Sequence, residues 1–207
     1  MLIHPWDAAD DGEWRTWLAE HDFGQLIAVG DDYRPLVTPT HFQFDGAELI
    51  RVHLARPNPL WPVLRARPEA TLTVVDDYAF IPGPWRAPAG VPAEHGVPTS
   101  YYATVQLFCA VTIVDEPEAK AELLRHQLGH FQPAGDHGPV QADQPPYGRM
   151  LSGILGAELR VREVRAKFKY SDKAGDAEQL PVAEHLAERG DAAVLRQVLR
   201  RNARNKD

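Results

Sequence analysis

The chain has 207 residues, 44% of them hydrophobic, which is enough for one substantial core with a helical appendage. Its 22 basic and 29 acidic residues leave a formal charge of −7, the wrong sign for a surface that binds nucleic acid directly. Cys109 is the only cysteine, so the chain can form neither an internal disulfide nor a zinc site built on several thiolates. Met1 to Asp7 lacks the basic and apolar pattern of a leader, and no run approaches the roughly 18 apolar residues of a membrane span. A cytoplasmic location is expected.

In chain order, Asp10 and Asp11 precede Trp14, Trp17, Leu18 and His21, whose spacing predicts a first helix. Two β-runs, 26–29 and 36–44, flank the turn residues Gly30, Asp31 and Asp32, with Pro39 marking the second as an edge or bulged strand. After Asp45-Gly46, residues 48–54 place Ile50, Val52 and Leu54 on one face and Arg51 and His53 on the other. Asn58 is set to cap a short helix with Pro59 at its first position. A strand over 70–75 and an ordered, aromatic-bearing loop from Tyr78 to Ser100 follow. Val105, Leu107, Cys109, Val111 and Ile113 alternate as a strand. Asp115 is the candidate cap of a helix to about Leu128, with Gly129 as its breaker. Residues 129–147 read as loop and 154–169 as a long strand, and two helices separated by Gly190 close the chain. This order predicts one α+β domain over 1–207, an antiparallel Greek-key type barrel with peripheral helices and a helical appendage over 172–207.

The segment His53 to Pro59 carries the chemistry. A phosphate monoester needs a fixed cation and free amides, and Arg56 beside a helix start capped by Asn58 could supply both. The same residues could instead pair Arg56 with a carboxylate and merely cap the helix. Thr38 and Thr40 share a strand face and could donate to a ligand, whereas His41 faces away from them unless Pro39 distorts the strand. Arg165, Lys167 and Lys169 alternate opposite Phe168, as a stripe that is either solvated or turned to an anion or partner. Nine histidines show no metal-ligand spacing: His126 and His130 are an i, i+4 pair without the accompanying glutamate, so no metal is expected. Nucleophile-elbow, Walker and dinucleotide-binding glycine motifs are absent, and no catalytic residue is assigned.

Four segments resemble the PaiB family: Thr40-His41-Phe42; Val52 to Trp61; Tyr78 to Trp85 with Val97 to Tyr102; and Gly153 to Leu159 continued by Lys167-Phe168-Lys169-Tyr170-Ser171. The resemblance implies an FMN-binding split β-barrel related to pyridoxamine-phosphate-oxidase-like flavoproteins. It also implies FMN at a homodimer interface and a role in negative transcriptional regulation, here without a direct DNA-binding motif. By the same resemblance His53, Arg56 and Asn58 are expected at the flavin phosphate, with Thr40 and His41 beside the flavin and Thr38, Leu54, Trp61, Tyr101, Lys167 and Lys169 completing the set. Ser100 and Tyr101 depart from the Trp-Asn that usually precedes Tyr102, removing a stacking surface. A flavin-dependent oxidoreductase of the pyridoxamine-phosphate-oxidase-like class is the alternative function.

Overall fold

A computed structural model describes residues 1–88 and 90–204. Two compact units emerge: a larger one of Gly12–Val74 and Gln106–Arg165, and a smaller one of Met1–Asp11, Val75–Val105 and the chain from Ala166 on.

In the larger unit, α1 (Asp11–Ala19) buries Trp14, Trp17 and Leu18 on one stripe. Strands β1 (Phe23–Val29) and β2 (Pro35–His41) form an antiparallel hairpin, in register from Phe23 opposite His41 to Val29 opposite Pro35. Pairing continues through Gln25 opposite Pro39, so the proline leaves the strand regular, and β2 ends the sheet order, where a missing N–H does least harm. The run expected as one strand over 36–44 breaks at Phe42, which is fully buried and donates its N–H to the Asp22 carbonyl at 2.8 Å. Strand β3 (Gln43–Phe44) follows.

With β4 (Leu49–Ala55), β5 (Glu69–Ile81), β6 (Thr99–Val114) and β7 (Ile154–Lys169), the sheet runs β2-β1-β5-β6-β7-β4-β3. Its first and last members are separated in sequence by Phe42 alone. One residue cannot span an open seven-stranded sheet, so the sheet curls on itself, as a split barrel does. Ile50, Val52 and Leu54 point inward from β4, as their alternation predicts, leaving Arg51 and His53 outside.

Helix α2 (Leu60–Ala66) follows β4, and α3 (Pro117–Phe131) follows β6. The cap of α3 is Glu116 rather than Asp115: its carboxylate accepts from the Glu118 and Ala119 amides, because Asp115 is drawn elsewhere. Gly129 does not end the helix, which runs on to Phe131; an interior glycine costs only about 1 kcal/mol. Within the segment expected as loop, α4 (Tyr147–Met150) begins at its last residue.

Strand β5 runs six residues beyond its predicted end. Ala70, Leu72 and Val74 are buried in the larger unit, but from Asp77, whose φ is +51°, the buried set becomes Asp77, Ala79 and Ile81. The change of parity hides the second half of the strand from a period-two reading. Strand β7 changes likewise, from Leu155, Ala157 and Leu159 to Ala166 and Phe168.

The smaller unit is tied by polar groups. Helices α5 (Asp176–Arg189) and α6 (Ala192–Arg204) are separated at Gly190, as predicted, and that glycine takes φ +84°. Arg201, 2% exposed, pairs with Asp172 and donates to the Trp6 and Ala8 carbonyls at 2.8 and 3.3 Å, fastening the N-terminal segment to α6. Trp85 lies between His185, stacked at 4.8 Å, and the Arg189 guanidinium at 4.6 Å. Contrary to expectation, Tyr78 and Phe80 are not loop residues seeking burial; they stand on β5 and are exposed.

Removing one partner of the Arg201–Asp172 pair strands a buried charge. We expect Arg201→Met to lose about 3–5 kcal/mol in urea unfolding, and the double variant Arg201→Met/Asp172→Leu to lose less. A double variant at least as unstable as the single one would contradict that account.

Candidate functional site

The corner from β4 into α2 is held by its own side chains. Asn58 accepts the Leu60 amide at 2.9 Å through its side chain and the Trp61 amide at 3.2 Å through its carbonyl. The expectation of free helix-start amides is therefore corrected: the first two amides of this seven-residue helix are used locally. Trp61 is buried, with its indole N–H donated to the Ala55 carbonyl at 2.9 Å, and Leu54 points into the barrel core. Both shape the corner from within.

Arg56 is committed as well. Its guanidinium donates to both Asp115 oxygens, at 2.6 and 3.2 Å, and to the Ser152 carbonyl at 2.6 Å. Lys120 reaches the same carboxylate at 3.2 Å and the Leu151 and Ile154 carbonyls at 2.7 and 3.3 Å, with its side chain 3% exposed. Two cations thus converge on one oxyanion. Hydrogen bonds from Arg56 above all, with those from Lys120, depress the Asp115 carboxyl to about 2. A groove of about 390 Å³ opens beside Arg56, Asp115, Lys120 and Ser152.

Outside the barrel, between β4 and α3, the structure assembles an imidazole cluster. The His41 and His53 rings meet edge to face at 5.2 Å, and Phe131 packs against His41 at 5.1 Å. His53 Nδ1 lies 2.6 Å from Gln127 Oε1, while Gln127 Nε2 donates to the Arg51 carbonyl at 3.0 Å. Burial foremost, then the neighbouring His53, lowers the His41 pKa against the opposing pull of Asp22. Of the pair weighed as metal ligands, His130 faces Asp22 at 2.9 Å and His126 faces Glu122 at 3.3 Å.

The threonines do not join this cluster. Thr40 is buried and donates to the His41 carbonyl at 3.0 Å, and half-buried Thr38 shares its face, opposite to His41, because Pro39 leaves the pleat intact.

Tyr101, Lys167 and Lys169 belong to the smaller unit. Tyr101 is 1% exposed and packs edge to face on Tyr170 at 5.7 Å, so it offers no open surface. Lys167 is buried rather than solvated, donating to the Leu2 carbonyl at 2.9 Å beside Asp7. Lys169 donates to Thr99 Oγ1 at 3.0 Å; burial, then Lys167, lowers its pKa. Both ammonium groups stand 5.9 Å from the Tyr102 ring centre.

Asp115, Lys120, Gln127 and Phe131 are functional neighbours that sequence reasoning missed. A signal existed: Lys120 and Gln127 are spaced one heptad apart on the buried stripe of α3, where a polar side chain needs a partner.

Residues 1–163 match the family described as "Putative FMN-binding domain". The Bacillus subtilis (strain 168) "Protease synthase and sporulation protein PAI 2" is 24% identical over 177 residues, covering 83% of this chain and 81% of that protein. Among solved structures, the FAD and heme binding protein from Mycobacterium smegmatis aligns with a TM-score of 0.61 at 14% identity, over 86% of this chain and 79% of that one. The flavocytochrome Anf3 from Azotobacter vinelandii aligns at 0.60 and 19% identity, over 79% and 70%. These likenesses show the split-barrel fold, and the family supplies FMN as the cofactor.

The donor set suits FMN. The Arg56 fork already grips an oxyanion, the Asp115 carboxylate, with chemistry that a phosphate shares. Among the described residues, the imidazole nitrogens of His41 and the Nε2 of half-buried His53 have no hydrogen-bond partner, which leaves them for a ring or polyol.

A depressed carboxyl stabilises the fold above its unfolded pKa, near 3.9, and that contribution disappears as pH falls towards about 2. Unfolding measured across this window should show a steeper loss in the parent than in Asp115→Asn. Equal slopes would mean that the carboxylate is not held as described.

Proposed function

Because the chain belongs to this FMN-binding domain family, we propose that it works as a homodimeric, FMN-holding regulatory protein that acts on its targets through a partner protein rather than by touching DNA. The single observation that carries this reading is the meeting of His41 and His53 on the outer face of the strand that leads directly to Arg56. His53, Arg56 and Asn58 stand at the phosphate end of the ligand and His41 beside its flavin ring, with Thr38 and Thr40 supporting the strand from its other face. Lys167 and Lys169 contribute cationic character in the smaller unit. FMN supplies reversible electron uptake at its isoalloxazine ring. The chain's own part is to bind and orient it: the guanidinium is preorganised by Asp115, and the imidazoles are fixed by α3.

The regulatory part of the reading is supported by the Bacillus relative, whose name assigns it to protease synthesis and sporulation. The charge of −7 argues against a direct nucleic-acid surface. A homodimer is supported by exposed apolar side chains: Phe23 and Val37 in the larger unit, Tyr78 and Phe80 in the smaller. A cytoplasmic setting accords with the lone buried cysteine, and no helix among the described residues is long and apolar enough to cross a membrane.

Purified protein should show a flavin absorption spectrum, release FMN on denaturation, and have twice the chain mass in solution. A colourless protein that takes up no added FMN would overturn the cofactor part of the reading, and a monomeric mass the assembly part.

A further inference from the structure

The orientation of Gln127 determines which ring nitrogen of His53 is left for a ligand. Gln127 is 2% exposed, and its amide is not free to turn: Nε2 donates to the Arg51 carbonyl at 3.0 Å, so Oε1 must be the atom facing His53. An amide oxygen only accepts, hence the 2.6 Å contact requires a proton on His53 Nδ1. In the neutral ring Nε2 then carries a bare lone pair. That nitrogen has no hydrogen-bond partner among the described residues; the His41 ring meets the His53 ring edge to face, with 5.2 Å between their centres.

We propose that Gln127 is a positioning residue that locks His53 as the Nδ1–H tautomer, so that His53 recognises ligands through acceptance by Nε2. The idea rests on the FMN reading above and changes one part of it. A bare acceptor is repelled by phosphate oxygens, which are acceptors themselves, and pairs instead with the hydroxyl and N–H donors of the ribityl chain and flavin ring. His53 therefore selects for the polyol and ring, and phosphate recognition falls to Arg56 and Asn58. The other charged groups around the cluster do not disturb this assignment. Arg51 faces Glu158 at 3.7 Å, and His130 faces Asp22 at 2.9 Å.

The experiment has two arms on the full chain. In the first, long-range proton–nitrogen NMR of the ligand-free protein near neutral pH reads the His53 tautomer directly, and Gln127→Met is expected to move it towards Nε2–H. Finding Nε2–H or a doubly protonated ring in the parent overturns the proposal without recourse to any variant. In the second, FMN and riboflavin are titrated into the parent, Gln127→Met and His53→Phe. Losing one acceptor should weaken both ligands by about the same factor, roughly five- to tenfold. A loss confined to FMN would return His53 to the phosphate and overturn the proposal. If the parent binds neither flavin, the cofactor reading fails and the ligand assignment with it, while the tautomer lock is judged by the nitrogen spectrum.

Discussion

The Asp115 carboxylate ties together the part of the barrel on which the candidate site depends. It stands where β6 gives way to α3, and it is gripped by Arg56 from the end of β4 and by Lys120 from the first turns of α3. The same two cations also reach the carbonyls of Leu151, Ser152 and Ile154, where β7 begins. Three strand ends and a helix are thus fastened by one ionic cluster. A buried ammonium is costly unless its protons are satisfied, and the Lys120 proton donors find three oxygens, which fixes both the helix and the strand entry.

From that constraint the rest of the site follows. With α3 seated against β4, Gln127 falls two turns beyond Lys120 on the same stripe and meets His53, and Phe131 one turn further meets His41. Trp61 and Asn58 close the β4–α2 corner from inside, so Arg56 and His53 project from a rigid backbone rather than from a mobile loop. Preorganisation of this kind lowers the entropic cost of holding a flexible, charged ligand.

Much of the sheet was legible because its strands obey simple periods. The inward trio Ile50, Val52 and Leu54, the alternation from Val105 to Val111 and the limits of β7 all appear as expected. Where a strand changes its buried parity, as at Asp77, the period-two pattern fails and the strand is read short. Local signals also lost to long-range ones: Asp115 looked like a cap by spacing, but two cations distant in sequence or along the helix claim it, and Glu116 caps instead. The structure displays the alternative in which Arg56 pairs with a carboxylate, while Asn58 bonds the first amide of a helix that starts at Leu60, with Pro59 at the cap position rather than the first helical one; FMN bound at that corner would share or displace that carboxylate. Gln127 was invisible because its role arises only when α3 packs on β4.

In the function proposed above, FMN meets the outer face of β4 where His53 leads to Arg56. A crystal structure of the protein saturated with FMN tests it most directly. The account predicts the polyol and ring against His41 and His53 with the phosphate towards Arg56 and Asn58. A flavin bound with those four side chains out of contact would contradict it.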